Sequence, residues 1–234
     1  MTRPLGGTDL LFPDVLGYEV PAYLADRNTV RNGTDEPYFS PALSSSNAVY
    51  SLWIGTNDLG VGAFLTDSQI LGKTLTDYTD CLYQVFDGLY ASGARVFVLF
   101  TNAPLQLAPL YANFTLHGVG NNEYWNPKPD NHTEIAELMH EYTSTTNNVM
   151  KYQTPFEMLV AGRYPGASMA LFNVWQLISD IYDNPTQYLN GTKPYNITGN
   201  EAQCNVDRQC TLQYNGTSPD SFLWYDELHP RYVY

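Results

Sequence analysis

Asp226 and His229 stand three positions apart near the C-terminal end of the chain. A carboxylate at that spacing can accept from one imidazole nitrogen, orient the ring and leave the other nitrogen free as a general base. The same residues also fit an ordinary polar loop with a solvated Asp and a satisfied His. Asn57 follows Gly55 directly after the apolar run Ala48 to Ile54. There its amide can point into a cleft as an oxyanion donor, or it can brace its own turn. A nucleophile is harder to place. Ser168 lies in Gly166-Ala167-Ser168-Met169-Ala170, but it opens a strand-like run instead of sitting between strand and helix, so it does not form a nucleophile elbow.

These residues need a scaffold, and the hydrophobic pattern supplies one. The run from Ala48 to Ile54 is apolar throughout, as in a strand buried on both faces, and ends in Gly55-Thr56-Asn57-Asp58, a turn composition. Leu75, Tyr78, Leu82, Val85, Phe86 and Leu89 recur at helical spacing until Ser92-Gly93 stops them. Arg95 to Phe100 reads as a second buried strand, and Ile135, Leu138, Met139 and Tyr142 mark another long helix, which Pro155 ends or kinks. Met169 to Val174 is strand-like, Trp175 to Tyr182 helical, and Phe222 to Tyr225 a last strand running into Asp226. Strands separated by helices predict a parallel α/β sheet with its ligand beyond the carboxyl ends of the strands. Both the Gly55 to Asp58 loop and the Asp226 to His229 loop fall at such ends. The first 46 residues are rich in Pro and Gly and allow only short elements such as Tyr18 to Leu24.

Taken together the blocks resemble a known pattern. Gly55-Thr56-Asn57-Asp58 resembles the Gly-x-Asn-Asp block of the SGNH, or GDSL-type, hydrolases, and Asp226-Glu227-Leu228-His229-Pro230 resembles their terminal Asp-x-x-His block. The stretches Tyr78 to Leu82, Gly93 to Val98 and Ala103 to Tyr111 are similar to secreted fungal acetylesterases of carbohydrate esterase family 16. The resemblance implies a three-layer α/β/α domain that hydrolyses esters through an acyl-enzyme without metal or organic cofactor. It makes His229 the general base, Asp226 its orienting carboxylate and Asn57 an oxyanion donor, with Gly55 and Asp58 shaping the loop and Trp53 structural. Acetyl groups on plant-wall oligosaccharides, or small esters, are the substrates it implies. The family's Gly-Asp-Ser nucleophile block is not found in the sequence, and Leu5-Gly6-Gly7-Thr8 offers no clear second oxyanion block. The expectation is a single SGNH-type domain over residues 1–234, incomplete at both ends, lacking the first strand or strands and the closing helix.

Composition narrows the partners. The chain of 234 residues has 11 Lys plus Arg against 24 Asp plus Glu, a formal charge of −13, which disfavours nucleic acid and anionic membranes. No apolar run approaches the ~20 residues of a spanning helix. Sequons at Asn32, Asn113, Asn131, Asn190, Asn196 and Asn215 exceed the roughly three expected by chance. Cys204 and Cys210 bracket five residues in a polar segment, as a small disulfide loop would; a metal site would need further Cys or His close by in sequence. Cys81 falls in a helical pattern as a buried thiol. Sequons and disulfide together predict an extracellular glycoprotein, a monomer by default, although the first 14 residues hold no signal-peptide core. Three function classes remain open: a secreted carbohydrate esterase shortened at its N-terminus, a noncatalytic glycan-binding relative, and an inactive truncated remnant.

Overall fold

The computed structural model describes residues 13–214 and 216–231; the Gly6-Gly7 stretch and the sequon at Asn215 lie outside them. The helices are α1 (Val20–Arg27), α2 (Thr56–Leu59), α3 (Leu75–Ala91), α4 (His132–Pro155), α5 (Val174–Asp183) and α6 (Pro185–Tyr188). The strands are β1 (Tyr50–Leu52), β2 (Val96–Phe100), β3 (Ser168–Phe172), β4 (Asn196–Asn200), β5 (Ala202–Cys204), β6 (Cys210–Leu212) and β7 (Phe222–Trp224). They fall into two units. The first comprises the chain up to Ile54, Gln69–Thr101 and Thr146–Phe172; the second comprises Gly55–Ser68, Asn102–Thr145 and Asn173 onward.

The first unit is built on a parallel sheet in the order β1-β2-β3, with Leu52 beside Leu99 and Leu99 beside Leu171. A parallel sheet needs crossover connections, and α3 lies within the crossover from β1 to β2. Thr74 starts α3 with a capping box: its hydroxyl accepts from the Asp77 amide while the Asp77 carboxylate accepts from the Thr74 amide. Hydrogen bonds from Thr74 and Lys73 hold the Asp77 carboxyl down at about 2. The buried stripe of the helix carries Leu82, Tyr83, Val85 and Phe86, and Phe86 meets Phe97 of β2 at 5.2 Å between ring centres. Fully burying such a side chain contributes about 1.5–3 kcal/mol. Arg163 closes the unit by clasping Asp87 through two hydrogen bonds of 2.8 and 2.6 Å.

Three expectations are corrected here. The run at 48–54 is not a strand buried on both faces: β1 spans three residues, only Leu52 of them is buried, and Val49 and Trp53 are 64% and 53% exposed. The Trp53 indole meets Phe100, which meets Phe172 at 5.2 Å between ring centres. Gly55 to Asp58 is not a plain turn, because Thr56 to Leu59 winds into α2. The last strand, β7, does not join the three-stranded sheet; it pairs parallel to β4 in a separate two-stranded sheet.

The second unit packs Leu59, Phe64, Leu110, Tyr111, Met139, Ile178 and Trp224 into its core. The polar segment at 202–212 forms an antiparallel hairpin, β5 to β6, in which Cys204 and Cys210 are paired residues and are joined by a disulfide. Cys81 is half-buried on α3. Pro155 ends α4, and a wider helical turn, Phe156–Val160, follows it. No helix among the described residues is long and apolar enough to cross a membrane.

Candidate active site

The site forms where β7 runs out. Glu201 and Ala202 donate their amides to the carbonyls of Trp224 and Tyr225 at 3.0 and 2.7 Å, which stitches the strand end to the start of the hairpin. The chain then turns back on itself: the Tyr225 amide donates to the His229 carbonyl at 2.8 Å, and Trp224 bridges to Pro230. Inside this turn the Asp226 Oδ1 accepts from the amides of Leu228 and His229 at 2.9 and 2.7 Å. That is the local bonding Asp favours, and it brings residue 229 back over the carboxylate.

The Asp226 side chain is 9% exposed and the His229 ring 59%. His229 Nδ1 lies 2.9 Å from Asp226 Oδ2. Burial alone pushes the Asp226 carboxyl up, but the hydrogen bonds from the His229 ring and from the two amides prevail and bring it below its ordinary value. Hydrogen bonding to that carboxylate raises the imidazole above its usual 6.5 against the effect of burial. An ionised carboxylate only accepts, so Nδ1 carries the proton and Nε2 is the basic nitrogen. Tyr124 donates to Asp226 Oδ2 at 2.8 Å, and its ring meets the His229 ring edge-on at 5.8 Å. Burial, then the bond to Asp226, keeps this phenol protonated far above the physiological range.

Asn57 sits on α2, exposed, with no hydrogen bond among the described residues and none to Asp226 or His229. Gly55 is the residue that lets the helix start there: its φ of 129° lies where side chains are strained. Asp58, half-buried in the first turn of α2, is placed to favour the helix N-terminus. Ser168 is the first residue of β3 and is exposed, with a strand and not a helix after it.

Three residues of the site gave no signal in the sequence. Tyr124 is 102 positions from the carboxylate it holds. Glu227, fully buried, accepts from the Cys204 amide at 2.7 Å, while its own carbonyl accepts from Leu110 at 2.6 Å. Lys128, also buried, donates to the carbonyls of Leu110 and Val119 at 2.7 and 2.5 Å, and burial pulls its ammonium down to about 8. Glu123 lies close to Cys204 and Cys210, but disulfide sulfurs are not thiolate ligands.

No protein-family profile matches the chain. An acetylesterase of Hypocrea jecorina is 41% identical over 220 residues, which cover 94% of this chain and 60% of that protein. The chain is similar to that acetylesterase over nearly all of its own length. Identity at that level over almost the whole chain accords with the helix and parallel-strand architecture. The chain spans about three fifths of the relative's length.

Proposed function

We propose that this chain carries the acid–base half of an SGNH/GDSL-type ester hydrolase acting on acetyl esters, with acetylated oligosaccharides as the finer substrate class. The observation that carries the reading is the Asp226–His229 pair: a buried, ionised carboxylate held by Tyr124 and two amides, bonded to an exposed imidazole. In this reading His229 Nε2 takes the proton of a serine hydroxyl as that oxygen attacks the ester carbonyl. Asp226 stabilises the imidazolium so formed, and the proton then passes to the departing alkoxide. The Asn57 amide donates to the oxyanion of the tetrahedral intermediate, and water repeats the sequence to release acetate. The serine itself is assigned to no residue of this sequence, which contains no Gly-Asp-Ser.

Exposure of the sequon residues Asn32, Asn131 and Asn190, partial exposure of Asn113 and Asn196, and the Cys204–Cys210 disulfide support an extracellular glycoprotein. The test reads the coding sequence upstream of the Met1 codon, expresses it in frame with the chain, and assays p-nitrophenyl acetate. The reading expects an upstream Gly-Asp-Ser and hydrolysis that falls at least ~100-fold in both His229→Ala and Asn57→Ala. Full turnover in either variant removes that residue from the mechanism.

A further inference from the structure

A cleft of about 510 Å³ opens in the second unit, lined from the 114–122 loop, from β4 and from the disulfide hairpin. That volume falls in the range of small-molecule sites. Its chemistry is unusual for a surface groove. Phe114 stands at it 60% exposed, its ring stacked at 3.7 Å on the buried His132 imidazole, which stiffens it as a platform. The Gln203 amide makes no hydrogen bond among the described residues, and Asn121 uses only its oxygen, toward the Lys128 amide. Gln213 uses only its nitrogen, toward Thr211. Glu227, also in the lining, is fully buried, with Oε1 on the Cys204 amide and Oε2 lacking any partner among the described residues. Gly118 keeps the loop in place: a Cβ there would lie 1.9 Å from the Ala112 carbonyl oxygen.

We propose that this cleft is a binding site for a neutral pyranose. Open amides that both donate and accept match vicinal hydroxyls, and an exposed ring matches the apolar face of a sugar. Among the described residues no Lys or Arg lines the cleft and His117 is its one basic side chain, so an anionic ligand would find no fixed counter-charge beside Glu227. The sugar has two possible sources. Asn196 of the sequon Asn196-Ile197-Thr198 is itself part of the lining, and its oxygen is held by the Gly199 amide at 2.7 Å, so a glycan on its nitrogen would start within the cleft. The other source is a free oligosaccharide. The inference goes beyond the esterase reading and stands whether or not an ester is cleaved.

The test titrates the full chain, made unglycosylated in an oxidising bacterial host, with xylotriose, cellotriose and N,N′-diacetylchitobiose, using digalacturonate as the anionic control. The expected result is saturable binding of at least one neutral sugar and none of digalacturonate. Phe114→Ala and Gln203→Ala should each weaken that binding roughly 5-fold while the thermal midpoint holds. Protein made in yeast then separates the sources. Binding lost in the glycosylated protein and restored in Asn196→Gln assigns the cleft to the chain's own glycan, whereas unchanged binding assigns it to a free sugar. Absence of saturable binding by every neutral sugar, or binding indifferent to both substitutions, overturns the site. Chromogenic acetate assayed in parallel on the upstream-extended protein keeps the readings apart: sugar binding by the chain without hydrolysis by the extended protein upholds the cleft and counts against the esterase, and the reverse does the opposite.

Discussion

Replacing Asp226 tests the turn and the dyad together, because two substitutions remove different parts of one hydrogen-bond set. Asp226→Ala strips the partner from the Tyr124 hydroxyl and from the amides of Leu228 and His229, three donors at 2.8, 2.9 and 2.7 Å. At about 1 kcal/mol for each donor left unpaired, the loss is about 3 kcal/mol. The exposed His229 ring turns to water and adds little. Asp226→Asn keeps an oxygen for the two amides and spoils only the contacts of Oδ2, so its cost is about 1 kcal/mol. The assay is urea unfolding of the chain at pH 7, read as midpoint shifts at constant slope. In the same samples the His229 ring is titrated by NMR, and its pKa should fall in both variants, because burial then acts without the carboxylate. Equal destabilisation by Ala and Asn would refute the division of labour between the two oxygens. An unmoved His229 titration in either would refute the electrostatic pairing.

Five further outcomes are expected. In an active esterase containing this chain, His229 serves as a base only when neutral, so the acid limb of the kcat/KM profile should lie above the ordinary 6.5 and shift down in Asp226→Asn. The same raised pKa means that the stability from the pair is full below the unfolded value and is lost as pH rises through the folded one; unfolding of wild type against His229→Ala between pH 5 and 8 reads this. Buried Lys128 titrates at about 8 against 10.5 for an ordinary Lys, so the unfolded chain binds more protons in between. Its share of stability therefore rises with pH across that window, and Lys128→Met should flatten the slope. Gly55→Ala should cost about 1–3 kcal/mol by forcing a side chain to φ 129°, measured as a lowered urea midpoint. Reduction of Cys204–Cys210 should cost about 2 kcal/mol in the chain-entropy picture, measured with and without dithiothreitol.

The elements set by local chemistry were legible in the residues themselves. Leu75 to Leu89 repeats at helical spacing behind Thr74 and Asp77, and α3 runs from Leu75 to Ala91 with that capping box in place. Asp226 and His229 are three positions apart, and an Asx-type turn can close their contact without distant help. Cys204 and Cys210 were close enough for any loop between them to bridge. Tertiary structure decided the rest. Whether a strand is covered on both faces depends on what other elements pack there, so the apolar run around Trp53 could look buried and yet be open. Which sheet a strand joins is likewise a long-range choice, and β7 pairs with β4, 26 positions earlier at Asn196 opposite Phe222, instead of with β1 to β3. Tyr124 on Asp226, Lys128 on Leu110 and Glu227 on Cys204 join residues 102, 18 and 23 positions apart. Periodicity reports only what a residue does within its own turn or strand; a hydrogen bond across such separations leaves no spacing to read.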